Sequence, residues 1–315
     1  VTGPVVAVVG PTATGKSDLG LELALALGGE VVNADAMQLY RGMDIGTAKL
    51  RPAERRGVAH HQLDVLEVEE DATVAAYQRH ARADLTAVAG RGARPVVVGG
   101  SGLYVRALLD RIEFPPSDPA VRAELEREAE QRGPGLLHDE LARLDPVAAA
   151  RVDRANTRRI VRALEVVRIT GRPYSATLPE HVHEVPAVQL GLDCDRAVLD
   201  ERIEARVERM WSGGLVDEVR SLAGRLGRTA VRAVGYAEVL RMLRGELTEE
   251  DARTAVVAGT RRLARRQMSW FGRDPRVHWL DARDPRLVER ALALVAAADA
   301  GALPDPGERD RRLGS

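Results

Sequence analysis

The chain has a single cysteine, Cys194, in 315 residues. That excludes an internal disulfide and a zinc site built on cysteines, and makes Cys194 an expected packing residue of a strand rather than a nucleophile. Phe, Trp and Tyr together reach only 3%, so the core must be built from Ala, Val and Leu. No apolar run approaches the ~18 residues of a membrane-spanning helix. The run at 5–9 is too short, and lacks the basic flank, for a secretion signal, so the expected location is cytoplasmic. No internal repeat is present. A net charge of −1 gives no general affinity for polyanions, and any nucleic-acid surface must come from local clustering of charge. Lysine is almost missing: of 46 basic residues only Lys16 and Lys49 are lysines. A GC-rich genome favours arginine wherever either residue serves, so a retained lysine points to a need for a compact point charge.

Lys16 closes the most informative stretch present, Gly10-Pro11-Thr12-Ala13-Thr14-Gly15-Lys16-Ser17. It fits G-x-x-x-x-G-K-[ST] between an apolar strand pattern and a helical pattern, the context this motif requires. Backbone N–H groups of such a loop point inward at phosphate oxygens and the helix N-terminus adds partial positive charge. Lys16 neutralises oxygens, and the Ser17 hydroxyl can sit on Mg²⁺. A glycine-rich turn without a ligand is the plain alternative, and the strand and helix on either side argue against it.

Strand patterns at 5–9, 30–34, 95–98, 188–192 and 277–280 alternate with helical patterns at 18–27, 72–89 and from 104 onward. The predicted class is α/β: a P-loop NTPase-like, doubly wound parallel sheet. The rhythm breaks at Phe114-Pro115-Pro116-Ser117-Asp118-Pro119, and only helical patterns follow to about residue 172. The expected organisation is a core of 1–114 and 188–285, an inserted all-helical domain at 115–187, and a C-terminal helix with a disordered tail at 286–315.

Ligands of doubly wound sheets sit at the carboxyl ends of the strands, where Gly10, Asp35 and Ser101 fall. Asp35 can be a general base, a carboxylate helping to hold Mg²⁺, or the cap of a turn. Ser101, in the turn Gly99-Gly100-Ser101-Gly102, can donate to a leaving oxygen or simply belong to a tight turn. Arg202, Arg206 and Arg209 share one face of a predicted helix. They suit forked binding of phosphate oxygens, or a solvated face paired with Glu201, Glu204 and Glu208. Arginines at 151, 154, 158, 159, 162, 168 and 172 meet only Asp153 and Glu165 within their own segment. Arg261, Arg262, Arg265, Arg266 and Arg273 meet no acid in theirs. Two basic helical faces on a neutral chain predict contact with a nucleic-acid backbone.

Three further blocks are distinctive. They are Asn33-Ala34-Asp35-Ala36-Met37-Gln38-Leu39-Tyr40-Arg41-Gly42-Met43-Asp44-Ile45-Gly46-Thr47-Ala48-Lys49, then Val98-Gly99-Gly100-Ser101-Gly102-Leu103-Tyr104, then Thr260-Arg261-Arg262-Leu263-Ala264-Arg265-Arg266-Gln267. Together with the phosphate loop, Leu144–Arg151 and Val234-Gly235-Tyr236, they resemble the tRNA dimethylallyltransferase family over about residues 4–282. The resemblance implies transfer of a dimethylallyl group from its diphosphate to N6 of the adenosine at position 37 of tRNA, next to the anticodon, with release of diphosphate. The loop would then hold the donor's diphosphate rather than ATP. By the same resemblance Asp35 accepts the N6 proton. Lys16, Ser17 and Arg206, helped by Arg202 and Mg²⁺, hold the leaving group, and Ser101 supplies a hydroxyl where many members carry threonine. Asp35, Ala36, Met37, Gln38, Ser101 and Arg122 match tRNA-contacting positions. Arg158, Arg159 and Arg162 match the part of the insertion that grips the anticodon stem, and Arg232 with Gly235-Tyr236 matches another RNA-contacting stretch. The adenine would have to be flipped out of the anticodon loop. Eukaryotic members carry a C-terminal zinc finger, which one cysteine cannot build, so a bacterial-type, monomeric enzyme is expected.

The main alternative is an ATP-dependent P-loop kinase of a small metabolite or nucleotide, which needs no basic insertion. A prenyltransferase acting on free adenine nucleotides would lack much of the helical insertion. An RNA-binding module without catalysis would not need Asp35.

Overall fold

The computed structural model describes residues 3–177 and 181–306. Six parallel strands, β1 (Val5–Val9), β2 (Gly29–Asn33), β3 (His60–His61), β4 (Arg94–Val98), β5 (Ala187–Asp193) and β6 (Val277–Asp281), form one sheet in the order β3-β2-β4-β1-β5-β6. The chain winds outward from β1 to β2 and β3, returns to β4, and then crosses β1 to add β5 and β6. The direction therefore reverses at β1, which places a crevice at its carboxyl end. β1 pairs Val6 with Val96 of β4 and with Val188 of β5. Continuous valine runs suit strands buried on both faces, and all five residues of β1 and of β4 are buried.

Each sheet face carries its own core. Helices Val74–Gly90 and Gly102–Leu109 cover one face with Tyr77, Ala81, Leu85, Val105 and Leu108. Helices Lys16–Ala26 and Leu287–Asp299 cover the other with Leu19, Leu23, Ala291 and Val295. A third cluster joins helices Arg196–Ser212, Leu215–Leu222, Tyr236–Leu243 and Glu249–Phe271 around Val207, Trp211, Val219 and Tyr236. Cys194, directly after β5, is buried and unpaired as a thiol, and burial pushes its pKa up.

The residues Asp110–Val182 form a separate compact unit. Its helices are Pro119–Arg132, Pro134–Leu144, Pro146–Arg151 and Thr157–Thr170, packed through Leu125, Leu137, Leu141, Ile160 and Leu164. The first three begin with proline, whose fixed φ and missing N–H suit a first helical position. Asp118 caps the first, accepting from the N–H groups of Ala120 and Val121, and Asp145 caps the third, accepting from Ala148 N–H.

Several boundaries differ from the sequence expectation for local reasons. The first helix starts at Lys16 rather than 18, because Gly15 in the left-handed region caps it. Helix Arg196–Ser212 starts where the Asp195 carboxylate accepts from Ala197 and Val198 N–H. Helix Leu215–Leu222 stops where Ala223 leaves the helical backbone region. The edge strand β3 was not anticipated: two histidines carry no apolar period. Of the disordered tail expected after Gly301, residues 307–315 lie outside the described residues, among which no helix is long and apolar enough to cross a membrane.

Candidate active site

The phosphate-type loop leaves β1 at Gly10 and turns into the helix at Lys16. Gly10 at φ 130° lies so close to β5 that a Cβ would come within 2.6 Å of the Leu192 carbonyl oxygen. Inside the loop Thr14 Oγ1 donates to Pro11 O at 2.8 Å and Lys16 Nζ donates to the same carbonyl at 2.6 Å. Among the described residues the backbone N–H groups of Ala13, Thr14, Gly15, Lys16 and Ser17 have no protein acceptor. Five consecutive unpaired donors at a helix N-terminus make an anion-binding nest. Lys16 keeps some accessible surface, yet its ammonium lies deep. Burial first, and then the nearby Arg206, lower its pKa to about 7, with Asp35 acting in the opposite sense.

Asp35 stands two residues beyond β2. Its Oδ1 accepts the Met37 N–H at 3.0 Å and so caps the short 3₁₀ helix Ala36–Leu39. Its own N–H donates to Asn33 Oδ1. Oδ2 has no partner among the described residues, so the capping role and a chemical role are both open to the one side chain. The Ser101 Oγ accepts from Ala36 N–H at 3.1 Å, and its N–H donates to Ala34 O at 3.2 Å. An accepting hydroxyl keeps its proton for donation.

Asp35, Gln38, Thr12, Lys16, Ser17, Gly99, Gly100, Arg206 and Gln267 line one cleft at the carboxyl ends of β1, β2 and β4. Ser101 stands one residue beyond that wall. A second cleft shares Lys16, Ser17 and Arg206 with the first and adds Ala13, Thr14, Gly15, Arg202 and Arg209. Lys16, Ser17 and Arg206, with Ala48 and Leu50, therefore line both clefts. Burial and Arg209 lower the Arg206 pKa while Asp35 raises it, with burial the larger effect. The acids suspected of neutralising this helix face elsewhere: Glu204 pairs with Arg261 and Glu208 with Arg253. Arg202, Arg206 and Arg209 have no ion-pair partner among the described residues.

Two supports of this site were not anticipated. Glu218, on helix Leu215–Leu222, accepts from the backbone N–H groups of Asp44, Ile45 and Gly46 at 3.0, 2.7 and 3.0 Å and from the Tyr236 hydroxyl. That fixes the segment whose Thr47 carbonyl accepts from Gln38 Nε2 and Arg206 Nη2. Tyr236 is fully buried, so its side chain braces this loop and is not presented to a ligand. Lys49, also buried, donates to Asp44, Asp64 and the Tyr40 carbonyl. Three oxygens around one ammonium explain why this second position stays lysine: a planar guanidinium cannot replace it there. The sequence signal was the rarity of lysine itself; nothing flagged Glu218.

No group of three or more His, Cys, Asp or Glu able to hold a metal occurs among the described residues. The Ser17 hydroxyl at the cleft fits Mg²⁺ arriving with a diphosphate, since that ion keeps waters and takes most ligands from phosphates.

In the helical unit, Arg158 and Arg159 are exposed and have no ion-pair partner among the described residues. Arg122 and Arg162 instead converge on the buried Glu165, both at 2.7 Å, and Arg162 also donates to the carbonyls of Pro115 and Pro116. Arg154 pairs with Asp139 and Arg168 with Glu128. Counting acids only within one segment had overlooked these neighbours. Among the described residues Arg262, Arg265, Arg266 and Arg273 have no ion-pair partner, and they line a shallow groove beside the part-exposed Trp270. Arg232 is exposed on its 3₁₀ turn.

The IPP transferase family profile matches residues 38–274. The tRNA dimethylallyltransferase of Thermobifida fusca is 62% identical over 299 residues, covering 92% of this chain and 94% of that protein. The chain belongs to this family of transferases. The tRNA dimethylallyltransferase of Streptomyces avermitilis is 59% identical, with 92% of this chain and 95% of that one covered. The crystal structure of the tRNA isopentenylpyrophosphate transferase of Bacillus halodurans superposes with a TM-score of 0.69 at 38% identity, covering 95% of this chain and 98% of that one. A eukaryotic dimethylallyltransferase crystallised acting on tRNA shares the fold, with a TM-score of 0.83 at 24% identity over 99% of this chain and 82% of that one. Membership sets aside the small-metabolite kinase.

Proposed function

We propose that the protein transfers a dimethylallyl group from dimethylallyl diphosphate to N6 of adenosine 37 in tRNA, in the bacterial cytoplasm and as a monomer. The nest of unpaired N–H groups at Ala13–Ser17, with Lys16, Arg206 and the neighbouring Arg202, binds the diphosphate. Mg²⁺, held by Ser17 and phosphate oxygens, would share the leaving group's charge. The flipped adenine enters the cleft of Asp35 while the donor enters from the side of Arg202 and Arg209. The N6 nitrogen forms a bond to the allylic carbon, the carbon–oxygen bond breaks, and diphosphate departs with the electron pair. The N6 proton passes to Asp35 Oδ2, and the Ser101 hydroxyl lies ready to donate toward the leaving oxygens.

The single observation that carries this reading is the Asp35 carboxylate, one oxygen tied and one free, lining the same cleft as Lys16, Ser17 and Arg206. Ala36, Met37 and Gln38 on the adjoining 3₁₀ helix, with Arg232 and the exposed Arg158 and Arg159, are read as RNA contacts. Arg122 and Arg162, engaged by Glu165, are read as holding that surface in shape. The test is nucleoside mass analysis of tRNA incubated with the protein and dimethylallyl diphosphate. The reading requires an adenosine heavier by one dimethylallyl group, absent when the donor is omitted. Turnover of ATP with unmodified tRNA would overturn it.

A further inference from the structure

Gln267 closes the run from Thr260, and neither its sequence context nor the reaction gives it a role. In the structure its amide ties two turns of the cleft wall together. It lies on the inner side of helix Glu249–Phe271, 8% exposed. Its Oε1 accepts the Thr12 N–H at 2.8 Å and its Nε2 donates to the Gly100 carbonyl at 3.1 Å. The two partners belong to different strand-to-helix turns, one carrying the anion nest and the other leading into Ser101. The amide packs so tightly that a Cβ on Gly100 would fall 2.2 Å from Gln267 Nε2. One acceptor meets one donor on each side, which fixes the amide's orientation. It also commits Thr12 N–H to the protein, while the N–H groups from Ala13 to Ser17 stay open.

We infer that Gln267 is a positioning residue that locks the diphosphate-binding loop to the Ser101 turn and sets the nest in its binding geometry. This rests on the reading of that loop as a diphosphate site. The helix that carries Gln267 inside carries Arg262, Arg265 and Arg266 outside, so a single rigid element joins the donor grip to the basic face.

The chemistry demands a neutral side chain with a donor and an acceptor at one reach. Methionine matches the length and offers neither; ionised glutamate offers two acceptors and would oppose the Gly100 carbonyl. A protonated glutamic acid restores one O–H donor and one acceptor. The experiment measures binding of inorganic diphosphate by calorimetry, with hydrogen exchange over residues 10–17 and the melting temperature, for wild type, Gln267→Met and Gln267→Glu. Gln267→Met is expected to weaken diphosphate by about tenfold or more, the scale of one buried hydrogen bond removed, and to speed exchange at Thr12. Gln267→Glu is expected to bind poorly at about pH 8 and to approach wild type, measured at the same pH, at about pH 4, below the ordinary glutamate pKa of about 4.3, where the acid is mostly protonated.

Unchanged affinity and exchange in Gln267→Met overturn the inference. So does a loss confined to Gln267→Glu, which marks charge repulsion alone. Should Gln267→Met fail to fold, a folded Gln267→Glu that does not recover at low pH overturns it as well. A wild-type protein that binds no diphosphate would instead refute the reading of the loop.

Discussion

Replacing Glu218 by glutamine tests the bracing of the site far from any reacting atom. The carboxylate accepts four hydrogen bonds, three from consecutive backbone N–H groups and one from the buried Tyr236 hydroxyl. An amide keeps one accepting oxygen and turns an NH₂ group toward donors, so one pair of bonds is lost whichever way it sits. The Asp44 side reaches solvent and water can take over there, whereas Gly46 and Tyr236 meet over a buried ring. A hydrogen bond to a charged group contributes about 1.5–3 kcal/mol, and water recovers part of one pair, so the expected loss is about 2–4 kcal/mol. Urea unfolding followed by circular dichroism measures it, with Asp217→Asn, whose side chain is 81% exposed, as the silent control. Because Thr47 O, in the same segment, accepts from Arg206, transfer activity should also fall at a temperature where the variant is folded. A Glu218→Gln protein within about 0.5 kcal/mol of wild type and fully active would refute the reasoning.

Three other outcomes are expected. Burial holds Lys16 at about 7 against an ordinary 10.5, so between those values the unfolded chain binds the extra proton and stability rises with pH. Lys16→Met should therefore raise the melting temperature at pH 7 and lose that advantage toward pH 10. The residual exposure of Lys16 keeps the gain near ~2 kcal/mol rather than the full ~1.4 kcal/mol per unit of depression. Burial pushes the Glu165 pKa up, but Arg122, Arg162 and Ser117 outweigh it and hold it below 4.5. Its contribution is thus complete above pH 4.5 and lost as pH falls through the depressed value, and Glu165→Gln should remove that acid sensitivity at a cost of about 2–3 kcal/mol to the helical unit. Arg158→Ala with Arg159→Ala should weaken tRNA binding and flatten its salt slope by about 0.7–0.9 for each phosphate left without its arginine. Arg162→Ala, by contrast, should act chiefly on stability, as measured by filter binding and thermal melts.

The strands were legible because parallel, doubly covered strands read as plain valine runs, and the loop because its glycines and Lys16 stand at fixed spacing. The helical unit was legible in outline because prolines and Asp caps mark its helix starts. The side-chain pairing was not. Arg122 and Arg162 read as RNA contacts by resemblance, yet Glu165, on the apolar side of its own helix, is fully buried between them. The partners of Arg154 and Arg168 come from other helices, and no periodicity reports which helices pack together. Glu218 and Gln267 escaped for the same reason: each acts on backbone groups distant in sequence, at Asp44–Gly46 in one case and at Thr12 and Gly100 in the other. Asp35 read as either a cap or a base, and it has one oxygen for each.

Single-turnover transfer of labelled dimethylallyl into tRNA by Asp35→Asn addresses the proposed chemistry most directly. Asparagine keeps an oxygen to cap Met37 N–H and gives up the base. Transfer should fall by about 10²–10⁴ while tRNA binding stays within a few fold. Transfer at a rate near wild type would contradict the proton's path to Asp35.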